Sequence, residues 1–376
     1  MVREAAGLRV GIDATPLLGP RTGVGRYVEH LVAALSGLEG LGELRATAFT
    51  WRGQGGLAAA VPAGVTVAGR RAPARGLQAL WRRADVPAVE LLAGRVDVFH
   101  GTNFVLPPLR RAGGVLTVHD LAYLTLPGTV SAASLRYREL VPRSLRRAAV
   151  VLTPTEAVAE ELRTAYPLPA DRVLVTPLGV DRVWFETPPP DPGWLAGRGL
   201  PPEYLLAVGT LEPRKGLDVL VAAYRQLSAE EPATPPLVLV GGAGWGAGLD
   251  LAGLPAGRVV LPGYVDNADL VPIMAGARLL AFPSRYEGFG LPPLEAMAAG
   301  VPVVASDLPA VREATGELVR LVPPGDPATL AAELAAELAA PADPAALETA
   351  RKHAAGHTWL RCAQLTMRAY QRAAAP

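Results

Sequence analysis

Two short segments combine charged side chains with glycines in a pattern that suits a phosphorylated ligand. Arg214-Lys215-Gly216 follows an apolar run that ends at Val208, and Glu287-Gly288-Phe289-Gly290 follows another that ends at Phe282. Glycines let a ligand approach the backbone closely, and paired cations can neutralise a diphosphate. The chemistry that these residue types could support is stabilisation of a phosphate group that departs with negative charge as a bond breaks. A solvated basic pair is the structural alternative for Arg214 and Lys215.

The second segment leads into a predicted helix that could hold an anion. Pro292 and Pro293 suit the first helical positions, where a missing N–H costs nothing, and Gly300 ends the helix. A helix N-terminus presents unpaired N–H groups and a partial positive charge, which favour phosphate. Glu295, in the predicted first turn, follows Glu287 after seven intervening residues. One glutamate could accept hydrogen bonds from a ribose and the other from sugar hydroxyls, although both could equally serve only the helix.

Lysine is rare in this chain, which makes Lys215 unusual. Only Lys215 and Lys352 are lysines among 36 basic residues, and arginine and alanine are abundant throughout. We interpret this composition as a genome bias. A lysine kept in such a background favours a specific role, although composition alone does not assign one.

The first half of the chain contributes two weaker signals. Gly23 and Gly25 precede a predicted amphipathic helix, but Val28 stands where the dinucleotide-binding fingerprint has its third glycine. His119 follows a buried apolar run, so it is predicted to lie at the end of a strand. A single histidine there is commonly a structural hydrogen-bonding group, and Asp120 could orient it or cap the next turn. His100, also at a strand end, is predicted to be structural.

Alternating apolar runs and helix-like stretches predict two doubly wound α/β sheets. Continuous runs rich in valine and leucine are typical of parallel strands that are buried on both faces. Strands that alternate with helices then form a parallel sheet, and ligands bind beyond the carboxyl ends of its strands. Seven runs come first, at Leu8–Ile12, Leu44–Phe49, Val65–Val67, Val96–Phe99, Val115–Val118, Val150–Leu152 and Val173–Val175, and six follow, at Tyr204–Val208, Leu237–Val240, Val259–Leu261, Leu279–Phe282, Val301–Ala305 and Leu318–Val322.

A Pro/Gly-rich segment between Glu186 and Pro202 predicts a linker between two domains. The predicted organisation is a first domain of residues 1–185, a linker of residues 186–203, a second domain of residues 204–356 and a terminal helix of residues 357–376.

Composition excludes several classes of protein. With 19% charged residues and a net charge of +1, the chain has no overall electrostatic footprint for nucleic acid. One cysteine, Cys362, cannot form an intramolecular disulfide and fits a reducing compartment. Arg9 and Asp13 interrupt the first apolar run, so it does not have the pattern of a signal peptide. No uninterrupted apolar stretch reaches the roughly 18 residues of a membrane helix, and the chain is predicted to be soluble and cytoplasmic.

The sequence predicts a site without a metal or other cofactor. No Asp-x-Asp follows a predicted strand at the usual metal position, and histidine and cysteine do not cluster. Asp266 and Asp269 suit the start of a helix better than a metal site.

The segment Ser284–Asp307 closely resembles the signature of family 4 retaining glycosyltransferases of the GT-B fold, which has two glutamates separated by seven residues. The resemblance implies that Glu287 contacts the donor sugar and Glu295 the ribose, while Arg214 and Lys215 bind the donor diphosphate. It also implies that the nucleotide sugar contacts a set of residues at strand ends and in the glycine loop: Gly209, Tyr264, Val265, Gly288, Phe289, Gly290 and Leu291.

The resemblance extends over nearly the whole chain. It implies that the loop of Gly23 and Gly25 faces the diphosphate or the acceptor, and that His119 lies close to the donor sugar. It implies that the last helix, which Thr358 and Trp359 open, crosses back to the first domain. The implied architecture is two Rossmann-like domains that face a central cleft, with the active site in that cleft.

The resemblance implies transfer of a hexosyl group with retention. The segments HDLAYL and GPRTGVGRY look most like the subgroup of mannosyltransferases that use GDP-mannose, but UDP-glucose, UDP-N-acetylglucosamine or a deoxyhexose donor would leave similar motifs. Two other functions stay open: a nucleotide-sugar epimerase or hydrolase on the same fold, and a non-catalytic protein that binds sugar nucleotides. The intact Arg214, Lys215, Glu287 and Glu295 disfavour the last.

Charge is unevenly divided, which bears on the acceptor. Residues 1–185 have a net charge of +7 and residues 186–376 a net charge of −6. Such a first domain could attract an anionic or lipid-linked acceptor, with peripheral contact at the inner membrane face. A solvated arginine face in an arginine-rich chain is the alternative. The arginines concerned are Arg70, Arg71, Arg75, Arg82, Arg83, Arg136, Arg138, Arg143, Arg146 and Arg147.

Overall fold

The computed structural model describes residues 7–19, 21–51, 54–68, 72–245, 248–340 and 343–375. These residues form two compact α/β units. The first unit takes its described residues from Met1–Tyr123, Ala132–Gly179 and Thr358–Pro376, and the second from Leu124–Ser131 and Val180–His357.

A parallel sheet of seven strands forms the centre of the first unit. Its strands are β1 (Leu8–Asp13), β2 (Leu41–Thr47), β3 (Thr66–Val67), β4 (Val98–Gly101), β5 (Gly113–Thr117), β6 (Val150–Thr153) and β7 (Val173–Val175). They are arranged in the order β3-β2-β1-β4-β5-β6-β7. The helices along this part of the chain are α1 (Gly23–Ser36), α2 (Gln54–Ala60), α3 (Ala74–Trp81), α4 (Glu90–Ala93), α5 (Ala122–Thr125), α6 (Tyr137–Arg147) and α7 (Glu156–Ala165).

The second unit contains a parallel sheet of six strands. Its strands are β8 (Leu205–Val208), β9 (Leu237–Val240), β10 (Val259–Gly263), β11 (Leu279–Phe282), β12 (Val303–Ser306) and β13 (Arg320–Val322), in the order β10-β9-β8-β11-β12-β13. The helices are α8 (Val183–Glu186), α9 (Pro192–Ala196), α10 (Leu217–Glu230), α11 (Asn267–Ala275), α12 (Leu291–Ala298), α13 (Pro309–Thr315), α14 (Pro327–Ala339) and α15 (Pro344–Ala355), and α16 (Trp359–Ala374) follows in the first unit.

Each of the thirteen predicted apolar runs overlaps one of these strands, so the prediction of two Rossmann-like α/β sheets is confirmed. Strand β9 is buried along its whole length, and so are β4, β6, β11 and β12. Burial on both faces explains why these strands have continuous rather than alternating apolar residues.

The segment predicted as a linker is part of the second unit, which begins at Val180. Leu195 and Leu200 are buried within it, and Asp191 caps α9 by accepting a hydrogen bond from the backbone N–H of Trp194. The proline and glycine content of the segment therefore reflects short helical turns that pack in the unit, and the predicted boundaries at residues 185 and 203 move accordingly. Leu124–Ser131, inside the predicted first domain, also groups with the second unit.

Helix α16 is part of the first unit, where it packs against α1. Thr358 caps it by accepting a hydrogen bond from the N–H of Arg361. The rings of His30 and Trp359 stack with their centroids 4.9 Å apart. Tyr370 is completely buried.

Candidate functional site

Two loops that follow neighbouring strands of the second unit meet at the carboxyl edge of its sheet. Strand β8 pairs with β11, so the loop of Arg214 and the loop of Glu287 leave the sheet side by side. The N–H of Arg285 donates a hydrogen bond of 2.8 Å to the carbonyl of Arg214. Gly216 has a left-handed φ of 63°, and a Cβ there would lie 2.1 Å from the carbonyl oxygen of Pro283. A larger residue at this position would therefore push the two loops apart.

Arg214, Lys215 and Glu287 form a compact ionic cluster with Glu212. The Nη1 atom of Arg214 lies 3.2 Å from Oε2 of Glu287, and its Nη2 lies 2.7 Å from Oε1 of Glu212. Lys215 Nζ lies 2.6 Å from Oε1 of Glu287, and the hydroxyl of Ser284 donates to the same oxygen at 2.6 Å. Residues that are 73 positions apart in sequence are thus brought into direct contact.

The four ionised side chains of the cluster are largely buried. Their exposed fractions are 16% for Arg214, 15% for Lys215, 9% for Glu287 and 5% for Glu212. Burial acts to raise the pKa of Glu287, but the charges of Lys215 and Arg214 and the hydrogen bonds that Glu287 accepts outweigh burial, so its pKa lies below the usual range. Glu287 is therefore ionised at neutral pH, and the cluster has two positive and two negative charges. These ion pairs hold the two cations in place before an anion binds.

The glycine loop leads directly into a helix, as the sequence predicts. Gly290, with φ of 113°, precedes α12, and Pro292 occupies one of its first two positions. Gly288, Phe289 and Leu291 are buried around it. Glu295 lies in the second turn rather than the predicted first turn, because α12 begins at Leu291, and its side chain is only 1% exposed.

The other residues that the resemblance assigns to the donor lie at the same sheet edge. Gly209 follows β8, and Tyr264 and Val265 follow β10. The side chain of Tyr264 is 45% exposed, so its ring is accessible to a ligand. Asp266 caps α11 by accepting a hydrogen bond from the N–H of Asp269, which confirms the prediction of a helix start there.

Sequence reasoning missed Glu212, a member of the ionic cluster, and Ser284, whose hydroxyl donates to Glu287. Each lies within three residues of a predicted site residue, so proximity in sequence was the available signal. It also missed Gly241 after β9, where a Cβ would lie 1.8 Å from the carbonyl oxygen of Gly209. Gly241 therefore lets the loop after β8 lie directly against the loop after β9.

In the first unit, the hydrogen bonding of His119 fixes which of its nitrogens carries the proton. Its Nε2 lies 2.8 Å from the carbonyl oxygen of Thr102, which can only accept, so Nε2 is the donor. Burial lowers the pKa of His119 and outweighs the hydrogen bond with Thr102 and the charge of Asp120, so the ring is neutral at pH 7. Its Nδ1 is consequently a lone-pair acceptor. The rings of Tyr27 and Phe104 pack edge-on against it, at centroid distances of 5.0 and 5.6 Å.

Asp13, at the carboxyl end of β1, is a buried carboxylate that sequence reasoning did not single out as a site residue. It is 8% exposed, and its Oδ1 accepts from the N–H and the hydroxyl of Thr15, at 2.9 and 2.6 Å. Burial raises the pKa of Asp13 to about 6. The hydroxyl of Thr102 donates to the backbone carbonyl of Asp13 at 2.6 Å, so Thr102 contacts both Asp13 and His119.

Three predictions for the first unit have clear outcomes. Asp120 caps the following turn, since its Oδ1 accepts from the N–H of Ala122 at 3.0 Å. His100 is completely buried between Tyr370 and Thr117, at 2.8 and 2.7 Å, as a structural residue would be. Gly23 and Gly25 do not precede the helix but lie in the first turn of α1, because Thr22 is the residue at its N-cap.

Most described contacts of the predicted arginine clusters are with protein oxygens. Arg82 binds Glu139 through two hydrogen bonds of 2.7 Å. Arg138 donates to the carbonyl of Tyr123, and Arg147 to the carbonyl of Leu106. Arg70 and Arg71 lie outside the described residues. In the part of the chain that the structure describes, every helix is too short or too polar to cross a membrane.

Two family descriptions match this chain, one in each unit. Residues 22–179 match the glycosyl transferase 4-like domain, and residues 202–339 match glycosyl transferases group 1. Together with the two Rossmann-like sheets, these matches show that the chain belongs to the family 4 glycosyltransferases of the GT-B fold.

Curated relatives include several mannosyltransferases. O-antigen chain mannosyltransferase B of Escherichia coli is 35% identical over 63% of this chain and 64% of that protein. MMP alpha-(1->4)-mannosyltransferase of Mycolicibacterium hassiacum is 30% identical over 63% of this chain and 57% of that protein. D-inositol 3-phosphate glycosyltransferase of Jonesia denitrificans is 34% identical over 61% of this chain and 58% of that protein. The matched region spans less than two thirds of each of these relatives.

Solved structures share the fold at low sequence identity. Sucrose-phosphate synthase from Thermosynechococcus elongatus superposes with a TM-score of 0.71 at 20% identity, over 96% of this chain and 98% of that one. Anabaena HepE, solved in complex with UDP and glucose, gives a TM-score of 0.69 at 19% identity, over 96% of this chain and 98% of that one.

Proposed function

We propose that this protein transfers a hexosyl group, with mannose favoured, from a nucleoside diphosphate sugar to an acceptor hydroxyl, with retention of configuration and without a metal ion. The observation that carries the proposal is the partly buried cluster of Arg214, Lys215 and Glu287 at the carboxyl edge of the second sheet. Ligands of open α/β sheets bind at this edge.

The cluster suits the departure of a diphosphate. Negative charge grows on the leaving phosphate as the bond to the sugar breaks, and fixed cations stabilise that charge without having to reorganise. Arg214 and Lys215 are fixed in this way, because carboxylates from two loops hold them. Two cations supplied by the chain take the part that a divalent metal would otherwise play.

Glu287 has a second role in this proposal. Its carboxylate is held ionised by the two cations, so it can accept hydrogen bonds from sugar hydroxyls. The exposed ring of Tyr264, with Val265, suits contact with the nucleobase. Glu295 is proposed to bind the ribose, as the family resemblance implies.

The comparisons support the class of donor and favour one sugar. HepE binds UDP and UDP-glucose, which makes a nucleotide sugar a reasonable donor here. Relatives named as mannosyltransferases favour mannose, and the motif resemblance favours GDP-mannose. Epimerase, hydrolase and non-catalytic functions are not favoured, since the named relatives are transferases.

The test combines a binding screen with a product assay. We expect GDP or another nucleoside diphosphate at 100 times its dissociation constant to stabilise the protein by about 2.7 kcal/mol. Incubation of the matching nucleotide sugar with a series of sugar acceptors should then give a glycoside whose anomeric configuration, determined by NMR, equals that of the donor. Free sugar as the sole product, formed at the same rate without acceptor, would contradict transferase activity.

A further inference from the structure

We infer that Arg285 is a positioning residue, which holds the loop of Arg214 and Lys215 in place against the loop of Glu287. The kinetic consequence of this inference rests on the proposed function, whereas its consequence for the geometry of Lys215 does not.

Arg285 bonds to the first of these loops on both sides of the two cations. Its Nη1 donates to the carbonyl of Pro213 at 2.7 Å. Its guanidinium group also pairs with the carboxylate of Asp218 through two hydrogen bonds, of 2.7 and 2.6 Å. Pro213 precedes Arg214 and Lys215, and Asp218 follows them, so one side chain fixes both ends of the segment that carries the cations.

The segment that Arg285 holds is a short turn. Residues Pro213–Lys215 form one 3-10 turn, which ends at Gly216, where α10 starts. Such a turn has poorer hydrogen-bond geometry than an α-helix, and Gly216 has no side chain with which to cap α10. Because the turn constrains itself only weakly, contacts with the neighbouring loop must contribute to the position of the two cations.

Neighbouring residues of the second loop divide these contacts between them. The N–H of Arg285 donates to the carbonyl of Arg214 at 2.8 Å, and the carbonyl of Tyr286 accepts from Nη1 of Arg214 at 3.1 Å. Glu287 then pairs with both cations. In the part of the chain that the structure describes, the guanidinium group of Arg285 has no hydrogen bond with Glu212 or Glu287. Arg285 therefore bonds to the backbone and flank of the first loop and not to the carboxylates of the cluster.

Arginine suits this position because its planar group offers five donors in a fixed arrangement. One guanidinium can bond to both oxygens of a carboxylate and to a carbonyl at the same time, which the single ammonium of a lysine does not reproduce. The side chains of Arg285 and Asp218 are 31% and 63% exposed, so their ion pair contributes little to global stability. We expect the effect of Arg285 to lie in the placement of the cations, since a displacement of about 1 Å can lower a rate by about 100-fold.

The first test is kinetic. Arg285→Ala and Arg285→Lys are assayed with the nucleotide sugar and acceptor that the product assay identifies. We expect Arg285→Ala to lower kcat by about tenfold, with KM for the nucleotide sugar within about threefold, because the cations act most strongly on charge that develops in the transition state. Arg285→Lys should lower kcat by less than Arg285→Ala does. Unchanged kcat in a folded Arg285→Ala variant would overturn the inference.

Arg320→Ala is the matched control in the same unit. Arg320 is also a partly exposed arginine that pairs with carboxylates, those of Glu333 and Glu337, but it lies at the start of β13. We expect its replacement to leave kcat and KM unchanged. A loss of kcat equal to that of Arg285→Ala would show that removal of any such ion pair has this effect, and would overturn the specific role of Arg285.

A double variant tests whether Arg285 acts through the cations. Effects of residues that act as a unit are not additive. In a Lys215→Ala background, we therefore expect Arg285→Ala to lower kcat by less than about threefold further. A further loss as large as that in the parent protein would show that the two residues act independently, which contradicts the inference.

A spectroscopic test reports the geometry of Lys215 without any substrate. Lys215 and Lys352 are the two lysines of the chain, so protein labelled with ¹⁵N at lysine Nζ has only two ammonium groups to assign. Lys352 is 76% exposed, whereas Nζ of Lys215 lies 2.6 Å from Glu287 and is protected from rapid proton exchange. We expect the Lys215 signal to be retained in Arg320→Ala and to shift or broaden in Arg285→Ala.

The two readouts separate this inference from the proposed function. A changed Lys215 signal in Arg285→Ala supports the positioning role even if no nucleotide sugar reacts with the parent protein. A parent protein that transfers sugar, together with an unchanged Lys215 signal in Arg285→Ala, would overturn the inference and leave the transferase activity standing.

Discussion

The carboxyl edges of the two sheets follow the same order of strands, with one additional strand in the first sheet, but they carry different charged groups. In the second unit, Arg214 and Lys215 are partly buried cations that pair with carboxylates. In the first unit, Asp13 and His119 offer acceptors and no cation. The same strand-end geometry therefore carries different charged groups in the two units, and the side chains at a few loop positions decide which.

The largest expected effect is that of removing one cation from the cluster in the second unit. Lys215→Ala should lower turnover by roughly 10²–10³-fold, the scale for loss of one preorganised donor to a developing negative charge. Lys352→Ala provides a matched control, because the other lysine is 76% exposed and its nearest carboxylate, in Glu348, is 3.6 Å away. Near-native turnover of Lys215→Ala would remove the diphosphate assignment.

The next effect concerns the nucleoside. Glu295→Ala should weaken binding of the nucleoside diphosphate by about 1.5–3 kcal/mol, the range for hydrogen bonds to a charged group. Isothermal calorimetry measures the affinity, with Glu348→Ala as a control on an exposed glutamate. Because Glu295 is buried in α12, circular dichroism should first establish that the variant is folded. Unchanged affinity in a folded variant would contradict the ribose assignment.

A third effect concerns the contribution of Asp13 to the stability of the first unit. The folded-state pKa of Asp13, about 6, is raised from an ordinary 3.8, so folding favours the protonated form. The free energy of unfolding therefore falls as pH rises from about 4 to about 6. It stays lower above that range, because the buried carboxylate is then ionised. Asp13→Asn removes the cost of burying an ionised carboxylate and should raise the free energy of unfolding at pH 7.5 by about 2–3 kcal/mol.

The gain should shrink as pH falls towards 4, where Asp13 is protonated in both states. Urea titrations of both proteins at pH 4.5 and 7.5 measure this difference. A variant less stable than the parent at pH 7.5 would show that ionised Asp13 does not destabilise the folded state.

The smallest expected effect is that of a chelator. If Arg214 and Lys215 alone neutralise the leaving diphosphate, EDTA should change turnover by less than about twofold. Turnover abolished by EDTA and restored by magnesium or manganese would contradict the metal-independent proposal.

The fold was predictable from sequence because buried parallel strands have uninterrupted apolar runs. Strands such as Leu237–Val240 and Leu279–Phe282 coincide with their predicted ranges. The packing of the Pro/Gly-rich segment 186–203 in the second unit was not predictable. Proline and glycine mark tight turns whether or not the apolar residues between them, here Leu195 and Leu200, become buried.

The candidate site was predictable only where residues lie in motifs. Arg214, Lys215 and Glu287 stand out by type and spacing, and the structure brings them together. Glu212 and Asp13 were missed because a single acidic residue gains meaning only from partners that are distant in sequence. Peripheral membrane contact stays a prediction, although the contacts of Arg138 and Arg147 favour a structural role for those two arginines.

The buried contact between His100 and Tyr370 has a practical consequence for anyone who produces this protein. A truncation that removes Tyr370 would leave a nitrogen of His100 without its partner in the centre of the first unit. An unsatisfied buried polar group costs about 1–3 kcal/mol, enough to lower yield markedly in a marginally stable domain. Expression trials should therefore trim or tag the chain elsewhere, and low yield after a C-terminal truncation should first be attributed to this lost partner.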